Sequence, residues 1–85
     1  DNSAQGRFEL TEGGHLAYAN YRIAEGRMLI PYVEASLPLR GTGAASRLMT
    51  QVAAEARSKG LKVVPLCGYA VSWFRRHPEH RDLLE

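Results

Sequence analysis

The chain has one cysteine, three histidines and no long apolar run, and each scarcity excludes something. Cys67 alone cannot close an internal disulfide, and His15, His77 and His80 are too scattered to set up a metal-ligand spacing, so the chain is read as metal-free. No apolar stretch approaches the ~20 residues needed to span a bilayer, and no signal-peptide pattern stands at the start. A cytoplasmic protein that avoids membranes is the expectation. Charge of one sign is also scarce: the net charge is +2, and the nine arginines are spread from Arg7 to Arg81 without a basic run. That argues against a DNA-binding stripe and for affinity toward one compact polyanion.

What is present is an ordinary globular composition, 45% hydrophobic and 24% charged, in 85 residues. One domain over residues 1–85 is expected, because division would leave neither half a core. Residues 1–5 are expected to form a poorly ordered tail. Arg7 to Leu10 alternate, Thr11-Glu12-Gly13-Gly14 supplies a turn, and His15 to Ile23 alternate again, which predicts an antiparallel hairpin. Ala17, Ala19, Tyr21 and Ile23 form the face expected to meet the core, with Leu16, Tyr18 and Asn20 opposite. Ala24-Glu25-Gly26 turns into a third strand, Met28 to Ala35. Pro31 inside it is tolerated only at a sheet edge or an irregularity.

Beyond Arg40 the period changes. Ala45, Leu48, Met49, Val52, Ala53 and Ala56 recur at helical spacing, with Arg47, Gln51 and Arg57 outside the stripe. Gly60 is placed to cap that helix, and Leu61 to make the accompanying apolar contact. Leu61 to Cys67 reads as a short strand covered on both faces. A strand, a crossover helix and a strand imply parallel pairing with a right-handed crossover. Pro65 removes a ladder donor, so the two parallel strands are expected to part near it and admit an extended ligand. Tyr69 to Arg76 predicts a short helix ended by Pro78, which can itself open a last turn through Asp82 to Leu84.

The segment Arg40-Gly41-Thr42-Gly43-Ala44-Ala45 joins the third strand to the long helix. Two glycines let the backbone approach a ligand, and the amides that follow belong to a helix N-terminus, where unpaired N–H groups and the dipole favour anions. A pyrophosphate would fit there, and an ordinary strand-to-helix turn would use the same residues. The missing lysine of G-x-x-x-x-G-K-[ST] argues against a nucleotide-hydrolysing loop, and the antiparallel strands before it argue against dinucleotide binding.

Arg40, Gly43 and Ala45 match the signature [QR]-x-x-G-x-[GA], through which the chain resembles the GNAT superfamily of acetyl-coenzyme-A-dependent N-acetyltransferases. It is similar in particular to a group of very small, single-domain GNAT-like proteins through Leu39 to Gly43, Gly60 to Cys67 and Arg76 to Glu79. The group tends to read His-Thr-Glu-Val before the loop, where this chain has Tyr32-Val33-Glu34-Ala35 with only Glu34 retained. It also tends to have proline after the cysteine and tyrosine in the last motif, where this chain has Gly68 and His80.

The resemblance implies a mixed α/β sheet of the GNAT type: an antiparallel three-strand meander plus one parallel strand, a long crossover helix and a short C-terminal helix. It implies coenzyme A bound by Arg40, Gly41, Thr42, Gly43, Ala44 and Ala45, with acetyl-coenzyme A as co-substrate. The leading reading is acetyl transfer to an unidentified amine. Acyl transfer needs a base for the amine and a proton for the departing thiolate. Glu34 matches the family's glutamate base, Tyr69 resembles its thiolate-protonating tyrosine, and Cys67 is a further candidate, to carry the acyl group or protonate the thiolate.

Each of these has a structural counterpart reading as a salt-bridged strand glutamate, a helix-start tyrosine or a packed thiol. His77 reads as a locally bonded helix-end residue and Trp73 and Phe74 as core. Arg75, Arg76 and Arg81 read as a solvated face within reach of the adenosine phosphate. Two other function classes are open: a coenzyme-A-binding module without efficient catalysis, and an RNA-binding sheet using Tyr18, Tyr21 and Tyr32, for which no recognition motif speaks. A monomer or weak homodimer is expected.

Overall fold

The computed structural model describes residues 6–84, so the expected tail over residues 1–5 lies outside the described residues. Strand β1 (Arg7–Glu12) pairs antiparallel with β2 (His15–Ala24), and β2 with β3 (Arg27–Ala35). Gly13 and Gly14, both at positive φ, make the two-residue turn between Glu12 and His15 whose twist suits a hairpin. Helix α1 (Ala44–Ser58) crosses over to β4 (Lys62–Pro65), which pairs parallel with β3, giving the order β1-β2-β3-β4. Helix α2 (Gly68–Arg76) and a 3-10 helix (Pro78–Leu83) follow. The mixed sheet, three strands antiparallel and the fourth parallel, is the architecture expected. No helix among the described residues is long and apolar enough to cross a membrane.

Directly paired residues share a face of the sheet. Phe8, Ala19 and Val33 form one cross-strand row and Leu10, Ala17 and Ala35 the next, both facing the core. Alanine at the centre of β2 leaves room for Leu48, Met49 and Val52 of α1 to lie close against the sheet, and all five are fully buried. Trp73 and Phe74 of α2 complete the same core, as expected. Past Ser58 the Leu61 amide bonds the Ala56 carbonyl at 2.9 Å and the Gly60 amide the Arg57 carbonyl at 3.2 Å, the paired bonds of a Schellman stop.

Pro31 lies at an irregularity in a central strand. Asn20 pairs with Tyr32 but Arg22 pairs with Leu29, so Tyr21 alone faces both Ile30 and Pro31, and β3 carries a bulge. Parallel pairing of β3 with β4 ends at Ile30 and Pro65, followed by one bond from the Leu66 amide to the Ile30 carbonyl at 3.0 Å. Beyond that point Pro31 to Ala35 run without β4 beside them, and the strands part where Pro65 indicated.

Three expectations need correction. Ile23 is 46% exposed, because β2 runs past the pairing limit of β1 at Arg7 and Asn20. Ala45 is only half-buried, and Ala44 takes the core position instead. The fourth strand stops at Pro65 rather than Cys67, since its partner has diverged, and only Val63 in it is fully buried, with Lys62 exposed. The last turn opens at Pro78 as expected and runs over Pro78–Leu83, and Leu84 beyond it forms a parallel bridge with Val63.

Candidate functional site

The loop before α1 is built around Leu39. This buried side chain anchors a 3-10 turn, Leu37–Leu39, that the sequence pattern did not indicate. The Leu39 carbonyl accepts both the amide of Thr42, at 3.2 Å, and its hydroxyl. Gly43 takes φ +86°, which disfavours any side chain, and a Cβ there would lie a tight 3.1 Å from Nη1 of Arg47, which would have to shift.

Two arginines hold the loop from opposite sides. Arg40 donates Nε to the Ala35 carbonyl at 3.1 Å, tying the loop to the end of β3. Arg47 donates Nη1 to the Thr42 carbonyl at 3.2 Å while gripping Glu12 through Nε and Nη2. The first bond to close the helix runs from the Arg47 amide to the Gly43 carbonyl at 3.0 Å, so the amides of Ala44, Ala45 and Ser46 precede it. Ala44 turns its amide to the Thr42 hydroxyl at 3.3 Å. Ala45 and Ser46 present theirs at the positive end of a 15-residue helix.

These groups border a cleft of about 540 Å³. Val33, Glu34 and Ala35 form one wall along the free edge of β3; Leu39, Arg40, Gly41, Gly43, Ala45 and Ser46 form the loop side; Tyr69 and Arg76 of α2 close it. The volume lies in the range of pockets that hold organic ligands. Arg40 and Arg76 bring positive charge to the lining, and Glu34 supplies a carboxylate on the strand side.

The structure therefore gathers Glu34, Tyr69, Arg40, Gly41, Gly43 and Ala45 at one cleft. Burial pushes the Tyr69 phenol above its ordinary pKa, and the charge of Arg76, whose Cζ is 6.0 Å from the ring, partly opposes this. Glu34 accepts a hydrogen bond from the Tyr32 hydroxyl, and that bond, with the carboxylate charge, pushes the Tyr32 phenol up. Cys67 is not on the cleft lining: its Sγ accepts the Ala70 amide at 3.4 Å and caps α2. Thr42 likewise spends its hydroxyl inside the loop.

His77 bonds the Trp73 carbonyl through Nδ1 at 2.8 Å and stacks on the Trp73 ring, away from the cleft. Arg75 and Arg81 border a separate hollow with Val71 and Phe74, so of the last arginines only Arg76 reaches the main cleft. Arg47 and Ser46 were not singled out from sequence. A local signal existed, since helical side chains lean toward the N-terminus and position 47 is one turn beyond Gly43.

No curated protein matches the chain. Residues 7–83 match the profile of the GCN5-related N-acetyl-transferase family, and on that match the chain belongs to this family.

Proposed function

We propose that the chain binds acetyl-coenzyme A and transfers the acetyl group to an amine. One observation carries the binding half: the loop that turns through Gly43 at positive φ puts Ala45 and Ser46, whose amides precede the first closing bond of α1, and the charge of Arg40 on the lining of one cleft. A pyrophosphate suits that part of the lining, and the parted edges of β3 and β4 suit an extended pantetheine arm. Family membership supports the same reading.

In the reaction the amine nitrogen attacks the thioester carbonyl, an N–C bond forms, and the C–S bond breaks. Glu34 takes the proton leaving the amine, and Tyr69 gives one to the departing thiolate. A phenol carries its proton at neutral pH, and the burial that pushes the Tyr69 pKa up extends this to more alkaline conditions.

Calorimetry with acetyl-coenzyme A tests the binding half. Gly43→Glu puts a carboxylate against the pyrophosphate and abolishes measurable binding, and unchanged affinity removes the loop assignment. Release of free thiol with a panel of amines tests the chemistry. A second reading, a coenzyme-A-binding module with little turnover, is favoured by the Tyr32 hydrogen bond that occupies Glu34 and by the capping role of Cys67. Tight binding without amine-dependent thiol release selects it.

A further inference from the structure

The meander has a second face. The buried side chains of both helices join one core with the first face, while Arg7, Asn20 and Tyr32 form a cross-strand row on the other, beside Glu9, Tyr18 and Glu34. The Arg7 guanidinium lies 4.1 Å over the Tyr18 ring and 3.6 Å from Glu9. The Tyr18 and Tyr32 rings are 6.1 Å apart, and Tyr32 is 44% exposed.

Carboxylates on this protein's ordered elements tend to have a cation. Glu9 has Arg7, Glu12 has Arg47, Glu55 has Lys59 and Asp82 has Arg57. Half-buried Glu34 makes, among the described residues, one hydrogen bond, from the Tyr32 phenol, and no ion pair; the charge of Arg40 reaches that phenol, but Arg40 spends its Nε on the Ala35 carbonyl. It is also the wall residue of the cleft whose side chain belongs to the uncovered face, since its neighbours Val33 and Ala35 belong to the core rows. The free edge of β3 is thus bordered by the phosphate loop on the helix side and by Tyr32 and Glu34 on the other.

We propose that the Tyr32 ring and the Glu34 carboxylate form the seat for the ammonium head of an alkylamine acceptor entering from the uncovered face, with Tyr32 holding the carboxylate in place as a positioning residue. The proposal deepens the acetyl-transfer reading and rests on it for the chemistry after binding. An ammonium group is attracted to an aromatic face within about 6 Å and makes short charged hydrogen bonds to a carboxylate. Arg7 on Tyr18 shows a cation held on the neighbouring ring, and it fills that position. A second ammonium on the same molecule would meet the Arg7 charge, so the class is a monocationic alkylamine, of which a lysine side chain is one form. Once seated, the ammonium gives one proton to a Glu34 oxygen, which passes it to solvent; the freed lone pair attacks, and the same carboxylate then takes the second proton from the N–C adduct, while the Tyr32 phenol retains its own proton.

The test is a titration of the full chain with n-butylammonium chloride, followed by tyrosine ring-proton NMR with and without coenzyme A, alongside thiol-release kinetics. Shifts at Tyr32 and Tyr18 are expected, with none from n-butanol. Tyr32→Leu weakens the binding roughly fivefold. Glu34→Gln weakens it about tenfold. Tyr32→Phe retains the ring and binds within about twofold of wild type, but lowers kcat rather than raising KM, because the carboxylate loses its tether. A 1,4-diaminobutane probe gains affinity only in Arg7→Gln. Coenzyme A affinity, retained in every variant, shows that each is folded. Absent ring shifts, or wild-type binding by both Tyr32→Leu and Glu34→Gln, overturn the seat even if thiol release continues. Ring shifts without amine-dependent thiol release establish the seat and remove the acetyl-transfer reading instead.

Discussion

Arg47, in the first turn of α1, grips Glu12 at the end of β1 through Nε at 2.8 Å and Nη2 at 2.6 Å. Because Nη1 of the same guanidinium also holds the Thr42 carbonyl, this one side chain joins the hairpin, the loop and the helix N-terminus. The Arg47 hydrogen bond first, and its charge second, hold the Glu12 carboxyl below the usual carboxylate range.

Arg47→Met is therefore expected to weaken acetyl-coenzyme A binding roughly fivefold, through loss of loop anchoring and of nearby positive charge. Stability changes little, since the pair is exposed to solvent. The sign with pH follows from the lowered folded-state pKa: the contribution is complete above the ordinary carboxylate value and disappears as pH falls through the lowered one. The Tm difference between wild type and Glu12→Gln should stay constant from pH 7 down to the usual carboxylate range and close below it. A difference that closes near neutrality contradicts the assignment.

Tyr69 should set the alkaline limb of turnover. Its phenol is raised by burial, so it remains a proton donor past the pH at which an ordinary tyrosine ionises, and kcat falls only above that point. Tyr69→Phe is expected to lower kcat about a hundredfold with coenzyme A affinity little changed. Arg76→Gln removes the opposing charge and moves the limb further up. An alkaline limb that survives Tyr69→Phe unchanged assigns the proton to another group.

Much of this fold was legible because its signals are local. The alternation through Ala17 and Ala19, the stripe from Leu48 to Ala56 and the stop at Gly60 each lie within a few residues of the structure they specify. Pro31 and Pro65 announced the bulge and the parting, since neither has an amide to give a ladder. What was not legible depends on distant partners. Arg47 reads as a solvated helix residue until Glu12 arrives beside it, and Ser46 is unremarkable until the Trp73 indole reaches it across the core. The exposure of Ile23 follows from where a neighbouring strand ends, which the pattern of β2 itself does not carry. Residues 40–45 were readable as a glycine turn entering a helix N-terminus, whereas the cleft wall at Tyr69 and Arg76 required α2 to be placed.

Cys67 supplies a test that separates capping from catalysis. Its Sγ accepts the Ala70 amide at the start of α2, a role serine performs well. Cys67→Ser should keep the Tm of wild type and its turnover. Cys67→Ala should lose about 1 kcal/mol, which for a domain of this size is a fall in Tm of several degrees. An acyl group trapped on Cys67, with turnover lost in Cys67→Ser, would falsify the capping account as the reason for this residue.

The single tryptophan offers a direct report on the cleft. Trp73 is fully buried, and its Nε1 donates to the Ser46 hydroxyl at 2.9 Å. Ser46 in turn lines the cleft, with its amide among those that precede the first closing bond of α1. An anion drawn to that amide reorients the hydroxyl, and the change in hydrogen bonding reaches the indole without any ligand contact to the ring. Coenzyme A should therefore alter Trp73 emission, saturating at the Kd found by calorimetry, and Gly43→Glu should abolish the response. In Ser46→Ala the indole N–H is left without its partner, which costs about 1–3 kcal/mol of stability, and the emission change should be lost while part of the affinity remains. Calorimetric binding with wild-type emission unchanged would place the anion away from the α1 N-terminus.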